Sequence, residues 1–164
     1  MAETDRSTCK TWLYFISCGS GLFAGIAGCL VFIFTFSNYQ AGFLALFSAL
    51  LATLCLHLLM LDHYSLLGVW YTPAILRRIT VFAVVILVAA LGLMAWYLTE
   101  VVTKHQGFYP IETSNPVRAV MSLMNVKWSV TLLALSVSLR RRLLGGPAAY
   151  RSLSEASPLG SQDS

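Results

Sequence analysis

The chain has 164 residues, of which 57% are hydrophobic and only 11% are charged. A soluble domain of this size cannot cover so much apolar surface with so little charge, and no room remains for a soluble catalytic domain. The net charge of +4 would suit nucleic acid in a soluble protein, but here the basic residues gather at the ends of apolar runs and read as membrane topology.

Residues 1–11 are polar and nearly charge-balanced, and form a short N-terminal segment. Four apolar stretches follow, at about Trp12–Phe36, Ala41–Leu61, Thr80–Leu98 and Ala119–Leu139. Each holds about 19–25 residues, enough to cross a hydrocarbon core of about 30 Å as a helix. Lipid offers the backbone no hydrogen-bond partner, so each run must be helical. The expected fold is therefore an all-α, polytopic bundle of four transmembrane helices. The first run is too long for the core of a secretory signal and reads as an uncleaved signal anchor, with cleavage near Gly25 as the alternative.

The linker Ser37–Gln40 is short and uncharged, so the first two spans form an antiparallel hairpin. The second linker, Asp62–Ile79, carries Pro73 and the pair Arg77-Arg78. The third, Thr99–Arg118, carries Lys104, His105, Pro110 and Pro116. After Leu139 come Arg140-Arg141-Arg142 and a Gly-, Pro- and Ser-rich stretch, so residues 140–164 read as a disordered tail. Arg6, Lys10, Arg77, Arg78, Arg140, Arg141, Arg142 and Arg151 lie on one side of this topology, with only Lys104 and Arg118 on the other. The positive-inside rule then puts both termini in the cytosol and the third linker in a lumen or outside the cell.

Cys9, Cys18, Cys29 and Cys55 form no CxxC pattern and read as small packing residues, with palmitoylation of Cys9 as the alternative. Trp70, Tyr71, Trp96, Tyr97 and Tyr109 fall near span borders, where amphipathic rings anchor. Gly21, Gly25 and Gly28 make a small-residue face on the first span. That face packs closely on another helix, within the chain or in a homo-oligomer.

Two ionisable residues lie inside spans, where a charged group costs about 2.5–3.5 kcal/mol on insertion scales. His57 is in the second span, and either hydrogen-bonds a neighbouring helix or ligates a metal or cofactor. Lys127, in the middle of the fourth, is expected to face the interior beside Asn125 and meet an anionic ligand, because no carboxylate lies in any span. Trp128 would give that ligand a flat apolar surface. His105 lies beside Lys104, Phe108 and Tyr109, a mixture suited to a flat, anionic, metal-containing ligand. His63 and Tyr109 are accessory candidates. No HExxH, no CxxC and no intramembrane aspartate pair is present, so no enzyme is read here. Permanent bis-histidine haem ligation is set aside too, since only His57 lies within a span.

The order of these elements resembles the haem-responsive-gene family of four-span haem transporters. The resemblance covers about Ile16 to Arg142 and is distributed along the chain. It is carried by His57-Leu58-Leu59-Met60-Leu61-Asp62-His63-Tyr64, by Lys104-His105-Gln106, by Lys127-Trp128 and by Arg140-Arg141-Arg142. It implies that His57 is the intramembrane haem ligand, that His105 receives haem on the lumenal side, and that the arginines serve cytosolic hand-off. The last element departs from the family, which has aromatic residues there. Haem is then a transported ligand, with no permanent cofactor. Its iron would meet the histidines, and its propionates Lys127 and the arginines. The alternative is a non-transporting four-span scaffold or trafficking protein, in which His57 and Lys127 merely make interhelical hydrogen bonds.

Tyr150-Arg151-Ser152-Leu153 fits the tyrosine-based pattern by which clathrin adaptors sort membrane cargo, provided the stretch is extended. Endosomal or lysosomal residence is therefore expected, with some passage through the plasma membrane. In an acidic lumen, protonation of the His105 imidazole would release bound iron.

Overall fold

The computed structural model describes the backbone of residues 2–105 and 111–155, and the side chains of residues 12–105 and 111–145. Its long elements are helices: α1 (Ala2–Leu30), α2 (Tyr39–His63), α4 (Pro73–Thr103) and α5 (Asn115–Glu155), with a single-turn α3 (Leu67–Trp70) between α2 and α4. There is no strand among the described residues. Among the described residues, four segments are long and apolar enough to cross a membrane: Trp12–Thr35, Tyr39–His63, Pro73–Thr103 and Asn115–Gly145. The protein is a multi-pass, all-α membrane protein.

Local chemistry explains the ends of these helices. α1 closes in a π turn at Val31–Thr35, and Ser37 then takes a left-handed backbone with φ 50° to reverse the chain. Asn38 starts α2: its Oδ1 accepts from Ala41 N at 3.2 Å. This is the usual way of satisfying an orphan donor at a helix start. Asn38 Nδ2 also donates to Ile111 O at 2.8 Å, tying this turn to the linker before α5. At the start of α4, Thr72 Oγ1 accepts from Ile75 N at 3.4 Å and Pro73 takes the first helical position. α4 therefore begins seven residues before the predicted Thr80, and Arg77-Arg78 lie in its second turn instead of a linker. At the other end α4 reaches Thr103, and α5 starts at Asn115 with Pro116 in its first turn.

The tail expectation is corrected. α5 continues through Arg140-Arg141-Arg142 and the Gly145-Gly146-Pro147 stretch to Glu155. The good helix formers Arg140–Leu144 carry α5 past Leu139, and it continues through Gly145-Gly146-Pro147 against their local propensity. Tyr150–Leu153 is thus helical and not extended, while residues 156–164 lie outside the described part.

Packing makes an open arc. α5 sits between α2 and α4, and α1 packs on α2 and also meets Trp128 of α5 through Gly21. α2 and α4 make at most glancing contact. The α1–α2 seam depends on small residues. A Cβ on Gly25 would lie 2.8 Å from Ala49 Cβ and 2.9 Å from Ala45 O, while one on Gly21 would overlap the Trp128 ring of α5. Gly28 faces Ala45 at 3.5 Å. These contacts are all within one chain, so the packing role of the three glycines needs no second copy.

Along α5, Ser122, Asn125, Ser129, Leu132, Ser136 and Leu139 are buried at alternating three- and four-residue steps. Such a seam faces its neighbours continuously, and it carries the polar ties between helices. Asn125 Nδ2 donates to Leu44 O on α2 at 3.1 Å, and Ser136 Oγ pairs with Thr80 Oγ1 on α4 at 3.1 Å.

Candidate functional site

His57 lies on α2 in the row Phe43, Leu50, His57, seven residues apart and so on one face of the helix. This is the face turned away from the buried positions Ala45, Ala52 and Leu59, and the imidazole is exposed on it. The ring meets Tyr71 edge-on, with centroids 6.1 Å apart. It makes no hydrogen bond among the described residues, so neither ring nitrogen is engaged by another helix. That arrangement leaves an imidazole nitrogen able to ligate a metal arriving from outside the bundle.

Lys127 does not face the interior. It is exposed on the side of α5 opposite the Ser122–Asn125–Ser129 seam, and its ammonium sits 4.6 Å from the centre of the Trp128 ring. The expectation fails on helical geometry: burying Asn125, Ser129 and Leu132 turns position 127 outward. The cation–π contact gives the charge a partial partner without a second helix.

Trp128 is corrected as well. Its indole is only 3% exposed and fills the notch left by Gly21, while its carbonyl accepts from Cys55 Sγ at 3.9 Å. The ring is core, and a planar ligand could reach it only by displacing α1.

His105 follows the last residues of α4 with φ 47°, in the left-handed position that commonly ends a helix. It is exposed, and its neighbour Lys104 is paired with Glu100 one turn back. Gln106, Phe108 and Tyr109 lie outside the described residues. His63 ends α2, with its ring against Phe15 (5.9 Å) and Tyr64 (5.3 Å). Arg142 Nη1 donates to Asp62 Oδ2 at 2.9 Å, Arg141 is exposed, and Arg140 is half-buried with an unpartnered Nε. Arg142 therefore ties this part of α5 to the end of α2.

These residues occupy successive depths. His105 is at the linker end of α4, Lys127 lies about 18 Å along α5 from Asn115, and His57 about 27 Å along α2 from Tyr39. Arg140–Arg142 are at the far end. They do not converge: no hydrogen bond, ion pair or ring contact joins His57, Lys127, His105 and His63 to one another among the described residues. No group of three or more His, Cys, Asp or Glu side chains able to hold a metal occurs among those residues either.

Sequence reasoning missed the network around Arg118. Its Nη1 donates to Asn115 Oδ1 at 3.2 Å and its Nε to Asn38 Oδ1 at 3.4 Å, and its carbonyl accepts from Ser122 Oγ at 2.9 Å. The three- and four-residue spacing of polar residues along α5 was the available signal. No family model, curated protein or solved structure matches this chain.

Proposed function

We propose that this protein is a haem transporter that moves haem from an endolysosomal lumen, or from outside the cell, to the cytosol. The observation that supports it best is the free, exposed imidazole of His57 on a membrane-spanning helix. A histidine kept within a span for structural reasons would be expected to hydrogen-bond a neighbouring helix, because lipid supplies no substitute. This one makes no such bond, which weighs against the scaffold alternative. Lys127 likewise has no hydrogen bond or ion pair to another helix among the described residues, and offers a cation to a propionate.

In this reading His105 receives haem on the lumenal side, Lys127 offers charge at mid-depth, His57 ligates the iron transiently, and Arg140–Arg142 release it to the cytosol. The spread of these groups suits transport, which needs weak successive ligation more than one tight site. The family resemblance supports the cargo, and the positive-inside count supports the direction. Endolysosomal residence rests on Tyr150–Leu153, a stretch that must unwind from α5 before an adaptor can bind it. Haem-dependent growth of a haem-auxotrophic cell tests the reading. Expression should lower the haem concentration needed for growth several-fold. No effect from a correctly inserted protein would contradict the proposal.

A further inference from the structure

Arginines from two helices gather at the end of the bundle where α4 begins. Thr80 Oγ1 of α4 and Ser136 Oγ of α5 lie 3.1 Å apart, which fixes the register of this antiparallel pair. Arg77 and Arg78 precede Thr80 by three and two residues, and Arg140 and Arg141 follow Ser136 by four and five. At about 1.5 Å per residue, all four leave their helices about 3–8 Å beyond the tie, in one layer. Arg77, Arg78 and Arg141 are exposed, and Arg140 is half-buried. None of the four side chains makes a hydrogen bond or ion pair among the described residues. Asp62, at the same end, is taken by Arg142 at 2.9 Å. The other carboxylates with described side chains, Glu100 and Glu112, belong to the opposite end. Aromatic residues mark the depth. A Cβ on Gly68 would lie 3.8 Å from Leu143 Cδ2, so α3 meets α5 about one turn past Arg140. Trp70 of α3 is 67% exposed, and such a ring sits at the head-group level of a bilayer.

We propose that this layer binds the head group of an inositol phospholipid carrying two or more ring phosphates. A guanidinium matches phosphate oxygens two at a time, and four of them without a carboxylate call for several phosphate charges close together. Arginines on both helices suit one such ring, since packed helices stand about 8–10 Å apart. A phosphatidylserine head group would leave most of the layer unmatched. Depth commits the ligand to lipid. The arginines stand near the level of Trp70, where lipid phosphates lie, and basic sites between helices at this level take such head groups. Val69 of α3 and Ile75 in the first turn of α4 are exposed and would meet the acyl chains, a contact that a soluble inositol phosphate cannot make. The transport reading uses Arg140–Arg142 but leaves Arg77 and Arg78 idle. The inference rests on the membrane-spanning fold and not on haem.

The test uses the full-length protein in non-ionic detergent without haem. Phosphatidylinositol bisphosphate is the probe, and bound lipid is counted by native mass spectrometry. One lipid per chain is expected, held about tenfold or more tightly than phosphatidylserine. Arg77→Gln and Arg141→Gln should each weaken binding about fivefold, the value of one arginine near a bilayer surface. Together they should weaken it about twenty-five-fold, as independent contacts do. Both residues are exposed and unpaired, so the fold does not depend on them. Lys104→Gln, at the far end of α4, removes the same charge and should leave binding unchanged. Equal retention of phosphatidylserine, binding untouched by both arginine substitutions, or the same loss in Lys104→Gln would overturn the proposal. So would soluble inositol trisphosphate that competes as well as the lipid, since the layer would then serve a free anion.

Discussion

In the proposed transport reading, the exposed imidazole of His57 and the outward Lys127 are the two residues that carry most of the weight. His57→Ala should reduce haem-supported growth at least tenfold, while His63→Ala keeps most of it. His63 stands at the end of α2 against Phe15 and Tyr64, where water can replace it as a ligand. Equal growth of the two variants would remove His57 from the pathway. Lys127→Met should leave the melting temperature in detergent unchanged or raise it, because no hydrogen bond or ion pair to another helix is lost. A fall of several degrees would reveal a packing role. That Lys127 would turn outward was not legible from its charge alone. It follows from Asn125, Ser129 and Leu132 winning the buried side of α5, a competition visible only once their spacing is laid on a helix.

Elements repeat this lesson at their ends. The apolar runs located all four spanning helices, yet α4 begins at Pro73 because Thr72 caps it, and hydropathy does not register a cap. Thr72→Val should therefore cost about 1 kcal/mol of stability in thermal unfolding. The glycines of α1 make a sharper test. At Gly25 a Cβ would meet α2 backbone atoms, and at Gly21 the Trp128 ring. Gly25→Ala and Gly21→Ala should each destabilise by about 1–3 kcal/mol, the usual cost of overpacking. Gly92 has nothing within 4 Å, so Gly92→Ala should be neutral or stabilise by up to about 1 kcal/mol. Equal effects at all three positions would mean that α1 is not held by its small-residue face. The glycine pattern was readable in the sequence, whereas its partners on α2 and α5 were not, since spacing does not specify the facing helix.

For the whole molecule, the arc of helices explains why the predicted ligand residues share an order in depth but no common cavity. The sequence order of His57, His105, Lys127 and the arginines carries depth, because each span has a known direction. It carries no information on which side of the arc each residue faces. The central claim is that His57 binds haem iron, and optical titration of haem into the purified protein tests it most directly. Wild-type protein should shift the Soret band saturably near one equivalent, and His57→Ala, correctly folded, should weaken that binding at least tenfold. An unchanged shift and affinity in His57→Ala, or no saturable shift in the wild type, would contradict the account.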